Sequence, residues 1–323
     1  MGNQLSQMFP PAAKFTEQSV GDLSDKVYIV TGASAGAGKE LSRLLYSRNG
    51  TVYLAARSQA RADSAIQWIK ETHPNSTGRL HFLHLDLNDL QGIKPSAEEF
   101  LKKENRLDVL FNNAGVMVPP QGSTTKQGYE LQLGTNCVAP FLFTKLLTPI
   151  LIKTAKKETT GSVRVIWVSS SSAELVAPTG GLDINNLDYK VDKSKQAKYA
   201  MSKAGNVLHA LEMRNRFADQ GVVSVPLNPG NLTSELTRHI SAIQAFIVRR
   251  LTYPPVNGAY TEFYAGLSPD IIRLKANEWV IPWGRIAPLR KDLVETGDSK
   301  ANGGSGQAKA FWEWSEEQVA KYS

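Results

Sequence analysis

The chain has 323 residues and a single cysteine, Cys137. No intrachain disulfide can form, and no Cys/His cluster has metal-ligand spacing, so the sequence predicts a reducing compartment and no metal site. Runs of one charge sign are equally scarce. Lysine and arginine total 37 against 30 acids, a net +7, yet they are scattered and accompanied by no nucleic-acid-binding signature. A solvated surface and no nucleic-acid partner are the expectation. No stretch reads as long and apolar enough for a transmembrane helix, and the N-terminus lacks the charged-then-apolar order of a secretory signal. These absences predict a cytoplasmic protein. One targeting pattern remains: Met1-Gly2-Asn3-Gln4-Leu5-Ser6 fits N-myristoylation, and a single acyl chain would give weak, reversible membrane association.

With 41% hydrophobic and 21% charged residues, the composition is that of a globular protein and excludes disordered or collagen-like chains. A chain of this length buries roughly three quarters of its unfolded surface, enough for a large core with a ligand cleft. Residues 1–22 show no sustained period and read as an arm. From Lys26 the punctuation becomes regular. Apolar, β-branched runs at Lys26 to Thr31, Thr51 to Ala56, Leu80 to Leu85, Val109 to Phe111, Val163 to Ser169 and Val222 to Leu227 alternate with helical patterns. Continuous apolar strands separated by helices predict an α/β fold, a Rossmann-type doubly wound parallel sheet of about seven strands with helices on both faces. Residues 23–300 read as one domain. Ala301 to Gly306 reads as a linker, and the stretch from Ala308 to Tyr322, with Phe311, Trp312 and Trp314, as a docked helix that covers the fold or meets the second subunit of a homodimer.

At the end of the first strand, Thr31-Gly32-Ala33-Ser34-Ala35-Gly36-Ala37-Gly38 leads straight into a helix. Glycines let backbone approach a pyrophosphate, and free amides at the helix start supply donors and a positive dipole end. A tight strand-to-helix turn alone would use the same residues. Further along stand His84-Leu85-Asp86-Leu87, Asn112-Asn113-Ala114-Gly115, Asn136, Val168-Ser169-Ser170 and Tyr199-Ala200-Met201-Ser202-Lys203. Tyr199 and Lys203, four residues apart, share a helix face, and a cation beside a phenol favours its ionised form. Such a pair is also common on any helix.

The spacing T-G-x-x-x-G-x-G and the order of the five motifs, over roughly residues 26 to 236, resemble the short-chain dehydrogenase/reductase family. The resemblance implies an NAD(P)-binding oxidoreductase with Asn136, Ser170, Tyr199 and Lys203 as its catalytic set. Ser171 is a rival for the hydroxyl role. In that set Tyr199 is the general acid/base, Ser170 binds the substrate oxygen, Lys203 lowers the tyrosine's pKa and holds the nicotinamide ribose, and Asn136 anchors a water. It also implies cofactor contacts from Gly32, Ser34, Gly36, Ala37, Gly38, Asp86, Leu87, Asn113, Ala114, Gly115, Leu232 and Ser234. Two positions depart from the family pattern. Ala37 replaces a bulky aliphatic residue before the last glycine, and Ser234 replaces the usual threonine after Pro229-Gly230.

Where NAD-specific relatives carry an acid at the end of the second strand, this chain has Ala55-Ala56-Arg57-Ser58. Arg57 can pair with a ribose 2′-phosphate, which points to NADP(H), although a surface arginine could also stand there. Residues 171 to 198 form a longer insertion than compact members of the family carry. With Ser234-Glu235-Leu236-Thr237-Arg238-His239, it resembles the retinol-dehydrogenase and WW-domain-oxidoreductase branch, closest to fungal reductases that serve secondary metabolism. Ile240, Ile243, Phe246, Ile247 and Leu251 recur at helical spacing and predict a lid around 236–256 over a lipophilic carbonyl or alcohol, or alternatively a subunit or membrane contact. The rival to an enzyme is a cofactor-binding scaffold without turnover.

Overall fold

The first strand, β1 (Val27–Thr31), is buried along its whole length. Tyr28 and Val30 point into one hydrophobic core while Val27 and Ile29 point into another, the alternation a strand covered on both faces must show. The computed structural model describes residues 2–233 and 252–323. Ser234 and most of the expected 236–256 lid, including its apolar stripe, lie outside the described residues.

Six further strands run parallel to β1: β2 (Thr51–Ala56), β3 (Arg79–His84), β4 (Val109–Asn112), β5 (Arg164–Val168), β6 (Val223–Leu227) and β7 (Glu278–Ile281). Their order, β3-β2-β1-β4-β5-β6-β7, is that of a doubly wound sheet whose topological switch lies between β1 and β4. An eighth strand exceeds the sequence expectation. β8 (Arg285–Pro288) folds back antiparallel on β7 through Gly284 at φ 79°. Its residues, RIAP, make too short an apolar run to signal a strand, and its pairing comes from the hairpin.

On one face lie α2 (Gly36–Ser47) and α3 (Gln59–Thr72), with Leu41, Leu44, Leu45 and Ile69 in the core. The other face carries α4 (Ile93–Lys103), a single turn α5 (Leu131–Leu133), α6 (Ala139–Ala155), the short α7 (Ser171–Leu175) and the long α8 (Lys195–Phe217). Helix α9 (Pro255–Leu267) returns to the first face, where Phe263 packs beside β4 and α2. Its start takes in the last residues of the expected lid.

The stretch Leu131–Ala155 meets the length and hydropathy of a membrane span, contrary to the sequence reading, but 78% of its apolar window is buried inside the protein. It is a core helix. Beyond α10 (Lys291–Gly297), helix α11 (Gln307–Val319) lies against α8: the Phe311 ring stacks on His209 at 4.6 Å, and His209 Nε2 pairs with Ser315 Oγ at 3.0 Å. The N-terminal arm also differs from expectation, since Gly2–Met8 forms a helix, α1.

Candidate functional site

The glycine loop occupies the carboxyl end of β1 at the switch point. Gly32 stands at φ 69° and Gly36 at φ 58°, conformations costly for any other residue. A Cβ on Gly38 would come within 2.5 Å of Asn113 Nδ2, so this helix start can approach the β4 turn only as glycine. The same turn is bolted to β1: Asn113 Nδ2 donates to the Thr31 carbonyl at 2.7 Å, and the Ala114 amide donates to Thr31 Oγ1 at 2.9 Å. Thr31 in turn donates to the Phe111 carbonyl.

Helix α2 begins at Gly36 with Ala35 as its N-cap and no side-chain cap, leaving first-turn amides free for an anion. A Cβ on Gly36 would meet nothing within 4 Å, so open space faces those amides. Ser34 and Ala37, both half-buried, flank them. Arg57 is exposed just past β2, beside Ser58, which caps α3. Asp86 accepts from the Asn88 amide at 3.0 Å, and Leu87 is buried next to it. The residues present therefore fit a dinucleotide, with free amides for its phosphates beside open space at the carboxyl end of β1.

Ser170, Tyr199, Lys203 and Asn136 converge beside that loop, where β5 ends. Ser169 is spent on the Lys203 carbonyl at 2.7 Å, whereas Ser170 caps α7, its hydroxyl accepting from the Ser172 amide at 3.2 Å and standing near the Tyr199 phenol. Lys203 sits one turn from Tyr199 on α8, its Nζ 5.9 Å from the ring centroid. It is 5% exposed and donates to the Val168 carbonyl at 2.9 Å, which Asn206 Nδ2 shares at 3.0 Å. Asn136 lies in a π-helical turn, Gly134–Val138, a distortion frequent at functional sites. Its side chain accepts from the Val116 amide at 2.8 Å and donates to Ser202 Oγ at 2.9 Å. A Cβ on Gly115 would touch both Asn136 Oδ1 and Lys203 Nζ, which shows how close these groups stand.

Burial dominates the electrostatics. It pulls Lys203 down to about 8 and raises the Tyr199 phenol, while the nearby Ser170 hydroxyl acts in the lowering direction. Glu262, on α9, was not foreseen. It is fully buried with neither carboxylate oxygen hydrogen-bonded, and burial lifts it to about 8 while the Lys203 charge opposes. A lone acid inside the apolar pattern of residues 255–267 was its only signal. Leu232 packs on Gly258 and forms a parallel bridge with Tyr253.

This glycine loop, on this sheet, marks the chain as having a dinucleotide-binding fold. The short chain dehydrogenase family profile matches residues 26–181. A short-chain dehydrogenase/reductase of Phomopsis amygdali is 53% identical, covering 99% of this chain and 97% of that one, and another from Emericella nidulans is 49% identical over 97% and 98%. A solved structure from Mycobacterium paratuberculosis shares the fold with a TM-score of 0.68 at 25% identity, covering 95% and 97%. The Pseudomonas aeruginosa RhlG complex with NADP does so at 0.61 and 20%, covering 76% and 91%. The chain belongs to the short-chain dehydrogenase/reductase family and is an NAD(P)-dependent enzyme with fungal relatives.

Proposed function

We propose that the enzyme uses NADP(H) to interconvert an alcohol with a ketone or aldehyde on a lipophilic small molecule. The observation that carries this reading is the convergence of Ser170, Tyr199, Lys203 and Asn136 where β5 ends, next to the glycine loop, with Lys203 Nζ 5.9 Å from the Tyr199 ring centroid. NADPH supplies the hydride when bound. Ser170 and Tyr199 then hold the substrate oxygen from one side, where negative charge develops, and Tyr199 gives it the phenolic proton.

Lys203 holds ribose hydroxyls and supplies the positive charge that makes the phenolate accessible, with Asn136 fixing the turn behind it. Gly32, Ser34, Gly36, Ala37 and Gly38 cradle the pyrophosphate. Asp86 and Leu87 meet the adenine, and Asn113, Ala114 and Gly115 line the ribose. Leu232 would face the phosphate side, a role the family resemblance also gives Ser234, and Arg57 would select the 2′-phosphate. The insertion at 171–198 and the apolar stripe after the Pro229-Gly230 turn support a lipophilic substrate, in keeping with the retinol-dehydrogenase-like branch and a place in fungal secondary metabolism.

NADPH consumption across retinoid, steroid, aliphatic and polyketide carbonyls tests the reading. At least one lipophilic carbonyl should be reduced, and faster with NADPH than with NADH. Tight NADPH binding without any turnover would favour a scaffold instead.

A further inference from the structure

Helix α1 is an N-terminal arm, yet its Gln7 is only 7% exposed and both ends of its amide are engaged. Gln7 Oε1 accepts from Asn228 Nδ2 at 2.8 Å, and Gln7 Nε2 donates to Glu174 Oε2 at 3.3 Å. Asn228 is 2% exposed and its Oδ1 accepts from the Gly230 amide at 3.0 Å, which fixes the Pro229-Gly230 turn. Glu174 belongs to α7, the short helix that Ser170 caps. One continuous chain of side-chain hydrogen bonds thus runs from the helix behind Ser170, through the N-terminal arm, to the turn after β6.

The arm is also anchored by its backbone. Arg285 on β8 donates to the Ser6 carbonyl at 2.7 Å and to Ser6 Oγ at 3.3 Å, and the Tyr253 hydroxyl donates to the Met8 carbonyl at 3.4 Å. Glu174 is held from the other side, where Arg290 donates to its backbone carbonyl at 2.8 Å. Burial pushes the Glu174 carboxyl up, so the Gln7 donor matters to it. Removing the amide would leave a buried donor on Asn228 and a largely desolvated carboxyl unpartnered, and each would move to find water.

We propose that Gln7 is a positioning residue of the active site, a strut supplied by α1 that sets the spacing between α7 with Ser170 and the Asn228-Pro229-Gly230 turn. This rests on the site reading above. The strut acts on the substrate oxygen's seat and on the turn facing it, not on the glycine loop that holds the phosphates. A displacement of about 1 Å at reacting atoms can cost on the order of 100-fold in rate.

The test uses the full-length enzyme with Gln7→Ala, Gln7→Glu, and the swap Gln7→Glu with Glu174→Gln. Melting temperature, NADPH affinity by fluorescence titration, and kcat and KM for a carbonyl the wild type reduces are measured separately. Gln7→Ala should lower kcat on the order of 10- to 100-fold, with NADPH affinity held within about 3-fold. Gln7→Glu sets two carboxylates against each other and should lose at least as much. The swap restores a donor–acceptor pair of reversed direction, still accepting from Asn228, and should return kcat to within about 3-fold of wild type. This rescue separates positioning from mere folding. A Gln7→Ala enzyme with wild-type kcat overturns the proposal, as does a swap that fails to restore kcat, folded or not. A wild type that neither binds NADPH nor reduces a carbonyl overturns the underlying reading, and the strut with it.

Discussion

Around β1, at the switch point of the sheet, the contacts that shape the site join one sequence motif to another: Asn113 and Ala114 to Thr31, Gly38 against Asn113. At the far end they join the chain's extremities to its middle, as Gln7 does to Asn228 and Glu174, Arg285 to Ser6, and Gln307 to the Leu182 carbonyl. The first region is set by backbone geometry that only certain residues permit. The second is assembled by side chains that any of several residue types could supply. On the proposed function, cofactor binding is specified locally, while substrate choice depends on how distant segments dock.

The strongest challenge to that contrast is at α11. Phe311 is fully buried against His209, and Phe311→Ala should destabilise the protein by about 3–5 kcal/mol. Chemical denaturation reads this directly, and a change under about 1 kcal/mol would show that the C-terminal helix is an ornament rather than part of the substrate-side frame. Next comes Lys203→Met. Turnover should fall on the order of 100- to 1000-fold in stopped-flow reduction, since the charge beside Tyr199 is lost; an unchanged rate would remove the lysine from the mechanism.

Arg57→Ala is smaller and confined to the cofactor end. The preference for NADPH over NADH, measured as a ratio of dissociation constants, should drop by about tenfold or more, the worth of one charge-assisted contact. KM for the carbonyl should not move. A changed carbonyl KM with an unchanged cofactor ratio would reverse the assignment of the two ends.

Glu262→Gln gives the smallest effect. The buried carboxyl has its pKa raised from 4.5 to about 8, so the folded state holds a proton that the unfolded state releases across this window. Wild-type stability should then decline as pH rises from about 4.5 to about 8, and the glutamine variant should lack this decline. The melting-temperature difference, variant minus wild type, should be more positive near pH 9 than near pH 5. A difference independent of pH would mean that the carboxyl has a partner.

Sequence and structure agree where physics acts over short range. The apolar runs became the strands expected of them, with β3 displaced by one residue, because continuous burial on both faces admits few other patterns. The glycine loop was legible for the same reason. That Asn136, Ser170, Tyr199 and Lys203 would stand close together follows from motif order, though not the detail that Lys203 turns to the Val168 carbonyl. Strand β8 escaped because a hairpin, not its composition, makes it a strand. Helix α1 escaped because seven residues with no apolar period form a helix only when docked. Leu131–Ala155 hid its hydropathy behind Pro140, Lys145, Pro149 and Lys153. Gln7 and Glu262 carried no readable pattern, since a buried polar group announces itself only through its surroundings.

The central claim is that Tyr199 transfers the proton at a site whose cofactor end is built separately. Tyr199→Phe, titrated with NADPH and then assayed with a reducible carbonyl, tests it most directly. The account predicts an NADPH dissociation constant within about 3-fold of wild type and turnover lower on the order of 100- to 10,000-fold. Turnover equal to wild type, with the phenolic hydroxyl gone, would contradict it.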